Sequence, residues 1–180
     1  MFQHRHYLKL LILFWFLSSL VPCSLWSESF FNSFCTLTMA YVIICLHNGS
    51  VNSISHTWGW KPYDTGIEPT FSRLVVYLTL GEGYHNFHHT FPKDYSHSEL
   101  YWTQIFNVSA LLIDLFEYFG WVSDKKVVDP QLIQKRRIRT GDLSVKMTPT
   151  NVLFEYLFGL VVFSWSPFLI FSLRYCLAIS

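Results

Sequence analysis

Histidine is the residue type in this chain most able to do chemistry, because eight are present and four of them form a pattern. His85, His88 and His89 stand in the stretch "GEGYHNFHH", and His56 closes the stretch "NSISH". On a helix, positions i, i+3 and i+4 share one face, so the three close histidines are predicted to point into a single site. Neutral imidazole is a good ligand for zinc, iron, copper or nickel. The spacing therefore predicts a metal site and leaves the metal open.

The residues beside these histidines limit which kinds of metal site the pattern can form. The pattern is not HExxH, so it lacks the carboxylate base of a zinc protease. Glu82 lies about one turn before His85, where two interpretations are equally open. Its carboxylate accepts the outer N–H of a ligand imidazole, or it is an acidic residue favoured near a helix start. Gly81 and Gly83 are expected to let the backbone turn tightly into the histidine helix.

The composition predicts a membrane protein as the frame for this site. Hydrophobic residues make up 51% of the chain and charged residues only 14%, whereas soluble domains are about a quarter charged. Two runs without a charged residue, Leu10–Ser27 and Ser29–Trp60, are each close to or above the length that crosses a bilayer. They predict a helical hairpin with spans at 8–26 and 31–50, joined by a turn around residues 22–28. A net charge of +1 leaves no overall field to recruit nucleic acid.

The predicted fold is all-α and has three parts. Residues 1–50 form the membrane hairpin, residues 51–150 form a cytosolic helical cap that carries the histidines, and residues 151–180 form an apolar tail. Within the cap, apolar periodicity predicts a helix at Tyr101–Phe119, and a proline suited to a first turn predicts another at Pro130–Arg139. The tail is open to three interpretations: a third span, a re-entrant segment, or a sequence foreign to the fold.

The orientation of the hairpin follows from its flanking cations. Lys9 precedes or opens the first span and Lys61 follows the second, whereas the turn contains neither lysine nor arginine. By the positive-inside rule, both ends of the hairpin face the cytosol. A rival interpretation treats residues 1–24 as a cleaved signal peptide. The long uncharged run that follows is better explained as a returning helix.

Three longer stretches carry a resemblance to a known family: "NSISHTWGWKPYD" at 52–64, "GEGYHNFHHTFPKDYS" at 81–96 and "RIRTGD" at 137–142. Over about residues 1–143 the chain resembles the carboxyl-terminal half of membrane acyl-CoA desaturases of the stearoyl-CoA, delta-nine type. The resemblance implies a multi-pass protein of the endoplasmic-reticulum membrane with its histidines facing the cytosol. It also implies a reaction in which O₂ and two electrons from cytochrome b5 remove two hydrogens from a fatty acyl-CoA.

The resemblance also implies a role for individual residues. His56 would bind one iron together with His85 and His89, while His88 would bind the other. Asn52, four residues before His56, would reach a metal through a water. The implied cofactors are therefore two iron ions, and the implied partners are acyl-CoA, O₂, cytochrome b5 and the lipid bilayer.

Departures from the family bear on activity. The family uses three histidine boxes, and the first two, of HxxxxH and HxxHH form, lie upstream of the matched region. His4, His6, His47 and His97 reproduce neither box, and His97 stands isolated in the sequence. Four matched histidines cannot fill two octahedral irons, so the chain is expected to be a fragment that is inactive alone. Gly49 stands where the family usually has a tunnel-lining tryptophan, so the acyl length and double-bond position are not predicted.

Other functions remain open beside a desaturase fragment. The main alternative is a non-catalytic endoplasmic-reticulum protein that associates with an intact desaturase or with lipid. A histidine-rich membrane hydroxylase or zinc protein is a third hypothesis, which the residues flanking His56 disfavour. The basic residues at 125–139 would dock an acidic electron donor or phospholipid, or simply form a solvated helix face.

Overall fold

Helices make up the regular secondary structure of this protein. The computed structural model describes residues 2–179, with side chains placed for residues 6–176. Within residues 2–179 no strand forms, and isolated bridges join Phe71 to Trp60 and to Tyr84. This confirms the all-α prediction. The helices are α1 (Phe2–Trp26), α2 (Phe30–Thr57), α3 (Arg73–Leu78), α4 (His85–Thr90), α5 (Val108–Tyr118), α6 (Pro130–Thr140), α7 (Val152–Phe163) and α8 (Trp165–Ile179).

The described chain divides into two compact units. The first unit contains the residues up to Cys45 and those from Trp165 onward, and the second contains Leu46–Ser164. One boundary therefore lies within α2, and the other lies between α7 and α8. All four histidines singled out by the sequence lie in the second unit.

Helix α1 and the part of α2 up to Cys45 form the predicted hairpin within the first unit. Ser19 and Ser33 are buried where the two helices meet, and the Ser33 hydroxyl donates to the Ser19 carbonyl at 2.7 Å. The Trp15 ring lies 4.7 Å from the Tyr41 ring between centroids. Small side chains and hydrogen bonds of this kind are what apolar helices use to associate in a bilayer.

The turn of the hairpin is shorter than predicted. It comprises residues 27–29, and Pro22 lies inside α1 rather than in the turn. Pro22 lies near the end of α1, and its carbonyl accepts the N–H of Glu28 in the turn at 3.3 Å. The second helix also extends past residue 50 to Thr57, so that it carries His56.

Three helical segments are long and apolar enough to cross a membrane: His6–Trp26, Phe30–Thr57 and Val152–Cys176. Each leaves most of its side chains exposed. Exposed apolar side chains are suited to contact with lipid. The helical backbone is suited to it as well, because a helix satisfies its backbone hydrogen bonds internally. The third segment joins α7 and α8 and shows that the tail has the length of a span.

The first part of the tail, α7, packs into the core of the second unit. The Phe158 ring lies 5.0 Å from the Tyr77 ring between centroids, and the Tyr77 hydroxyl donates to the Glu155 carboxylate. Gly159 is buried, and a Cβ there would lie 2.5 Å from the Phe106 ring. Only a glycine allows α7 to approach the Phe106 ring this closely. Helix α7 therefore packs closely against the core of the second unit.

The basic helix of the cap is confirmed. Helix α6 starts at Pro130 and ends at Thr140, one residue beyond the predicted end. Its first turn is capped by the Asp129 carboxylate, which accepts the Gln131 N–H at 2.8 Å. An acidic cap followed by proline is a strong local start signal, which explains why the sequence alone located this helix.

The other predicted cap helix, Tyr101–Phe119, is wrong at its start. Residues 101–107 form turns, and α5 begins only at Val108. Asn107 is buried and caps the helix, with its side-chain oxygen accepting the Ala110 N–H at 2.9 Å. An asparagine side chain competes with the helical backbone for that hydrogen bond, so it favours a helix start.

Candidate metal centre

The short helix α4 carries His85, His88 and His89, as predicted. Two glycines lie in the turns before it. Gly81 has φ +125°, a conformation that favours glycine. A Cβ on Gly83 would lie 2.3 Å from the Val76 nitrogen. The predicted tight turn is therefore confirmed. Because Gly83 has no side chain, the backbone just before the histidine helix packs directly against α3.

Asn86, between the histidines, holds the loop that follows α2. It is fully buried, and its side-chain oxygen accepts the Tyr63 N–H at 2.9 Å. Its amide nitrogen donates to the carbonyls of Asp64 and Pro69 at 2.9 and 2.8 Å. One side chain thus joins the loop at 63–69 to α4.

The same loop is also attached to the end of α2. The N–H and the hydroxyl of Thr70 donate to the Ser55 carbonyl at 2.6 and 2.9 Å. Ser55 immediately precedes His56. The loop therefore couples the position of His56 to helix α4, although 29 residues separate His56 from His85 in the sequence.

The three imidazoles of His56, His85 and His89 bring one nitrogen each within 4.8 Å of the other two. The Nε2 atom of His85 lies 3.0 Å from that of His56 and 3.2 Å from that of His89. Nitrogens bound at about 2.1 Å to one cation lie about 3.0 Å apart at a right angle and about 3.4 Å apart in a tetrahedron. The observed spacing fits a shared metal ion. Among the described side chains, these form the one group of three possible ligands this close together.

Burial and the neighbouring imidazoles favour the neutral forms of His85 and His89 in this three-imidazole cluster. Burial, together with the imidazoles of His89 and His56, lowers the pKa of His85 to about 4. Burial and the imidazole of His56 also lower the pKa of His89. Neutral imidazoles retain the lone pair that a metal requires. The carboxylate of Glu68, which is not a member of the cluster, lies 3.9 Å from His56 Nδ1. This distance is beyond hydrogen-bond range.

His88 lies beside the cluster rather than within it. Its ring centroid is 6.0 Å from that of His85 and 5.4 Å from that of His89. Its closest ring partner is His97, at 4.0 Å between centroids. The Nδ1 atom of His88 is buried and has no hydrogen-bond partner among the described residues. His88 is therefore not a member of the three-imidazole cluster, and its ring lies closer to that of His97 than to those of His85 and His89.

The two remaining predicted site residues have contacts of their own. The Glu82 carboxylate lies 3.4 Å from His97 Nδ1 and accepts the Ser109 hydroxyl at 3.0 Å. The hydrogen bond with His97 lowers the pKa of Glu82, against the effect of burial. Asn52 is exposed on α2, and its side-chain nitrogen donates to the Asn48 carbonyl at 3.2 Å.

His97 is the residue of this region that sequence reasoning missed. It is isolated in the chain, eight residues after His89, and no spacing motif marks it. The turn at 94–98 brings its ring to His88. The unusually large number of histidines was the one feature of the sequence that could have drawn attention to His97.

A buried ion pair beside the site makes the stability of the second unit dependent on pH. Asp64 is buried and pairs with Arg136. Burial alone raises the pKa of Asp64, but the Gly66 N–H and the Arg136 guanidinium outweigh it and lower the pKa below its usual value. The stabilisation is therefore complete above the unfolded pKa of about 4 and is lost as the pH falls through the lower folded value.

The thermal midpoint of the wild type in detergent, followed by circular dichroism, is expected to fall more steeply than that of Asp64→Asn between about pH 6 and about pH 3. Asp124→Asn removes an equal charge from an exposed position and serves as the control. Parallel pH profiles for wild type and Asp64→Asn would contradict the assignment of this ion pair.

Comparison with known proteins shows what the chain is similar to. It is 40% identical over 148 residues to stearoyl-CoA desaturase of Mesocricetus auratus, covering 81% of this chain and 41% of that protein. It is 41% identical over 126 residues to an acyl-CoA Delta(11) desaturase of Trichoplusia ni, covering 70% and 36%. It is 38% identical over 128 residues to an (11Z)-hexadec-11-enoyl-CoA conjugase of Bombyx mori, covering 71% and 38%. No family model matches the chain.

These relatives confirm the resemblance drawn from the histidine motifs. The chain is related to acyl-CoA desaturases over 70–81% of its own length. It spans about two fifths of the length of the relatives that it matches. An all-helical chain with three candidate spans and a cluster of three imidazoles agrees with part of such an enzyme.

Proposed function

We propose that this chain is part of a fatty acyl-CoA desaturase, an oxidoreductase that introduces a cis double bond into a saturated acyl-CoA with O₂ and electrons from cytochrome b5. The observation that carries the proposal is the convergence of His56, His85 and His89 at a spacing suited to one metal ion. The relatives named as stearoyl-CoA and acyl-CoA desaturases support acyl-CoA as the substrate class. The product would enter unsaturated fatty acid synthesis.

In this proposal the metal is iron, and the chain's own histidines hold it. Iron supplies, when bound, the O₂-dependent oxidising chemistry that an unactivated C–H bond requires. His56, His85 and His89 bind one ion, and His88 contributes to a second. Asn52 lies one turn before His56 on α2 and acts through a water. Burial keeps the imidazoles of His85 and His88 neutral near pH 7, since it lowers the pKa of each.

The membrane setting supports this chemistry. His56 lies at the end of the candidate span Phe30–Thr57, so the cluster is continuous with an apolar helix. We place this end at the cytosolic face of the endoplasmic-reticulum membrane, because the cations flank that side of the hairpin. There the cluster meets the cytosolic electron donor, while the apolar helices exclude water from the acyl chain. The basic helix α6 provides a surface for an acidic donor.

Most of the remaining iron ligands come from outside this chain in the proposed enzyme. Two octahedral ions offer about twelve coordination positions, and four histidines fill only four of them. We therefore propose that the chain is inactive alone and works with the portion of a desaturase that carries the HxxxxH and HxxHH boxes.

A fusion tests this proposal. The portion of Mesocricetus auratus stearoyl-CoA desaturase that this chain does not match is joined to the chain and expressed in desaturase-deficient yeast. The fusion is expected to restore growth without added oleate, whereas the chain alone and the added portion alone are expected to fail. Failure of a fusion that folds and reaches the membrane would oppose the proposal. Co-purification of the chain with an intact desaturase, without iron of its own, would instead favour the non-catalytic alternative.

A further inference from the structure

A second group of polar side chains lies next to the three-imidazole cluster. The rings of His88 and His97 lie 4.0 Å apart between centroids, at an interplanar angle of 40°. The Nδ1 atom of His88 is buried without a hydrogen-bond partner among the described residues. A buried polar atom left unpaired destabilises a fold, so this nitrogen needs a partner that the described residues do not supply.

The backbone of His97 is held firmly by a buried turn. The Asp94 carboxylate accepts the N–H and the hydroxyl of Ser96 at 2.9 and 2.6 Å. The Ser96 carbonyl accepts the Asn107 side-chain amide at 2.8 Å. His97 itself has φ +54°, a conformation uncommon for a residue other than glycine. Such a conformation persists where surrounding contacts impose it, and it recurs at functional sites.

The His97 ring also meets a carboxylate. Glu82 lies 3.4 Å from His97 Nδ1, and the Ser109 hydroxyl fixes the same carboxylate at 3.0 Å. With the proton on Nδ1, the Nε2 atom of His97 carries a lone pair. A carboxylate that receives the outer N–H of an imidazole is the usual arrangement behind a metal-binding histidine. Glu82 is thus suited to orient His97. This contact favours the interpretation of Glu82 as an acceptor for the outer N–H of an imidazole, although the imidazole is that of His97.

We propose that His88 and His97 form a second imidazole pair that binds a divalent transition-metal ion, with Glu82 as the positioning residue for His97. The inference rests on the proposed function, because this ion is the neighbour of the one held by His56, His85 and His89. It adds His97 to the four histidines that the motifs identify. The pair supplies two imidazole ligands, a donor type that suits ferrous iron and its probe Co²⁺.

Metal counting on the full chain tests the pair. The purified chain in detergent is dialysed against Co²⁺, and the bound ions are measured by elemental analysis. Wild type is expected to bind two ions and His97→Phe only one, because phenylalanine keeps a ring against His88 but has no nitrogen. Glu82→Gln is expected to bind the second ion at least about 10-fold more weakly. His6→Ala, a histidine of α1 outside both groups, is the control and should retain both ions.

The outcomes separate this inference from the proposed function. Two ions bound with unchanged affinity by His97→Phe would overturn the pair. If that variant loses its helical circular dichroism, Glu82→Gln decides, and an unchanged affinity for the second ion overturns the inference. Loss of one ion in His85→Ala with retention of the His97-dependent ion supports two distinct sites. An unaltered count in His85→Ala would remove the centre on which the proposed function depends, whatever His97→Phe shows.

Discussion

Replacing His85 with alanine is expected to lower the Co²⁺ affinity of the three-imidazole cluster at least about 100-fold, since even residues that only orient a ligand change metal affinity 10–100-fold. His85 is the shared member of the group. Its Nε2 atom lies 3.0 Å from that of His56 and 3.2 Å from that of His89. Without it, two nitrogens from different helices remain and the central ligand is missing. Equilibrium dialysis of the purified chain measures the effect.

The same substitution has a functional readout in the desaturase fusion. His85→Ala is expected to abolish growth without oleate, because the proposed reaction depends on the bound ion. His6→Ala serves as a matched histidine control and should leave both the metal affinity and the growth unchanged. Wild-type affinity in His85→Ala would show that the convergence of the three Nε2 atoms is not a metal site.

Replacing Asn86 with alanine is expected to cost about 3 kcal/mol or more in the free energy of unfolding of the second unit, at about 1–3 kcal/mol for each buried group left unpaired. The side chain is fully buried and pairs with the Tyr63 N–H and with the carbonyls of Asp64 and Pro69. Alanine leaves all three without their partner. The thermal midpoint in detergent should therefore fall sharply.

A second consequence concerns the metal. The loop held by Asn86 also fixes the end of α2 through Thr70, so Asn86→Ala should displace His56 and weaken Co²⁺ binding. Asn48→Ala changes an exposed asparagine on α2 and is the matched control, with neither property altered. A variant that keeps the wild-type midpoint and the wild-type Co²⁺ affinity would show that this asparagine does not organise the site.

Helix α2 links the membrane hairpin to the proposed chemistry. It starts beside the hairpin turn at Phe30, packs against α1 through Ser33, and ends at Thr57, one residue after His56. A helix rises about 1.5 Å per residue, so its length suits a span that delivers a ligand at its end. Placing a ligand on a regular helix restricts its position more tightly than placing it on a loop.

The sequence by itself determined the features that depend on near neighbours in the chain. Charge-free runs located the hairpin, because a helix that crosses a bilayer must be long and apolar. The i, i+3, i+4 spacing put His85, His88 and His89 on one helix, and the Asp129–Pro130 start signal located α6. The longer desaturase motifs around His56 and His85 identified the relatives, which the comparisons confirm.

Only the tertiary structure decided how distant parts of the chain meet. The approach of His56 to α4 depends on the path of a loop that Asn86 and Thr70 hold from within. The pairing of His88 with His97 depends on a buried turn that no periodic pattern predicts. Helical spacing is set by local backbone geometry and can be counted along the sequence. Contacts between separate segments are set by which side chains and hydrogen bonds can be satisfied together in three dimensions.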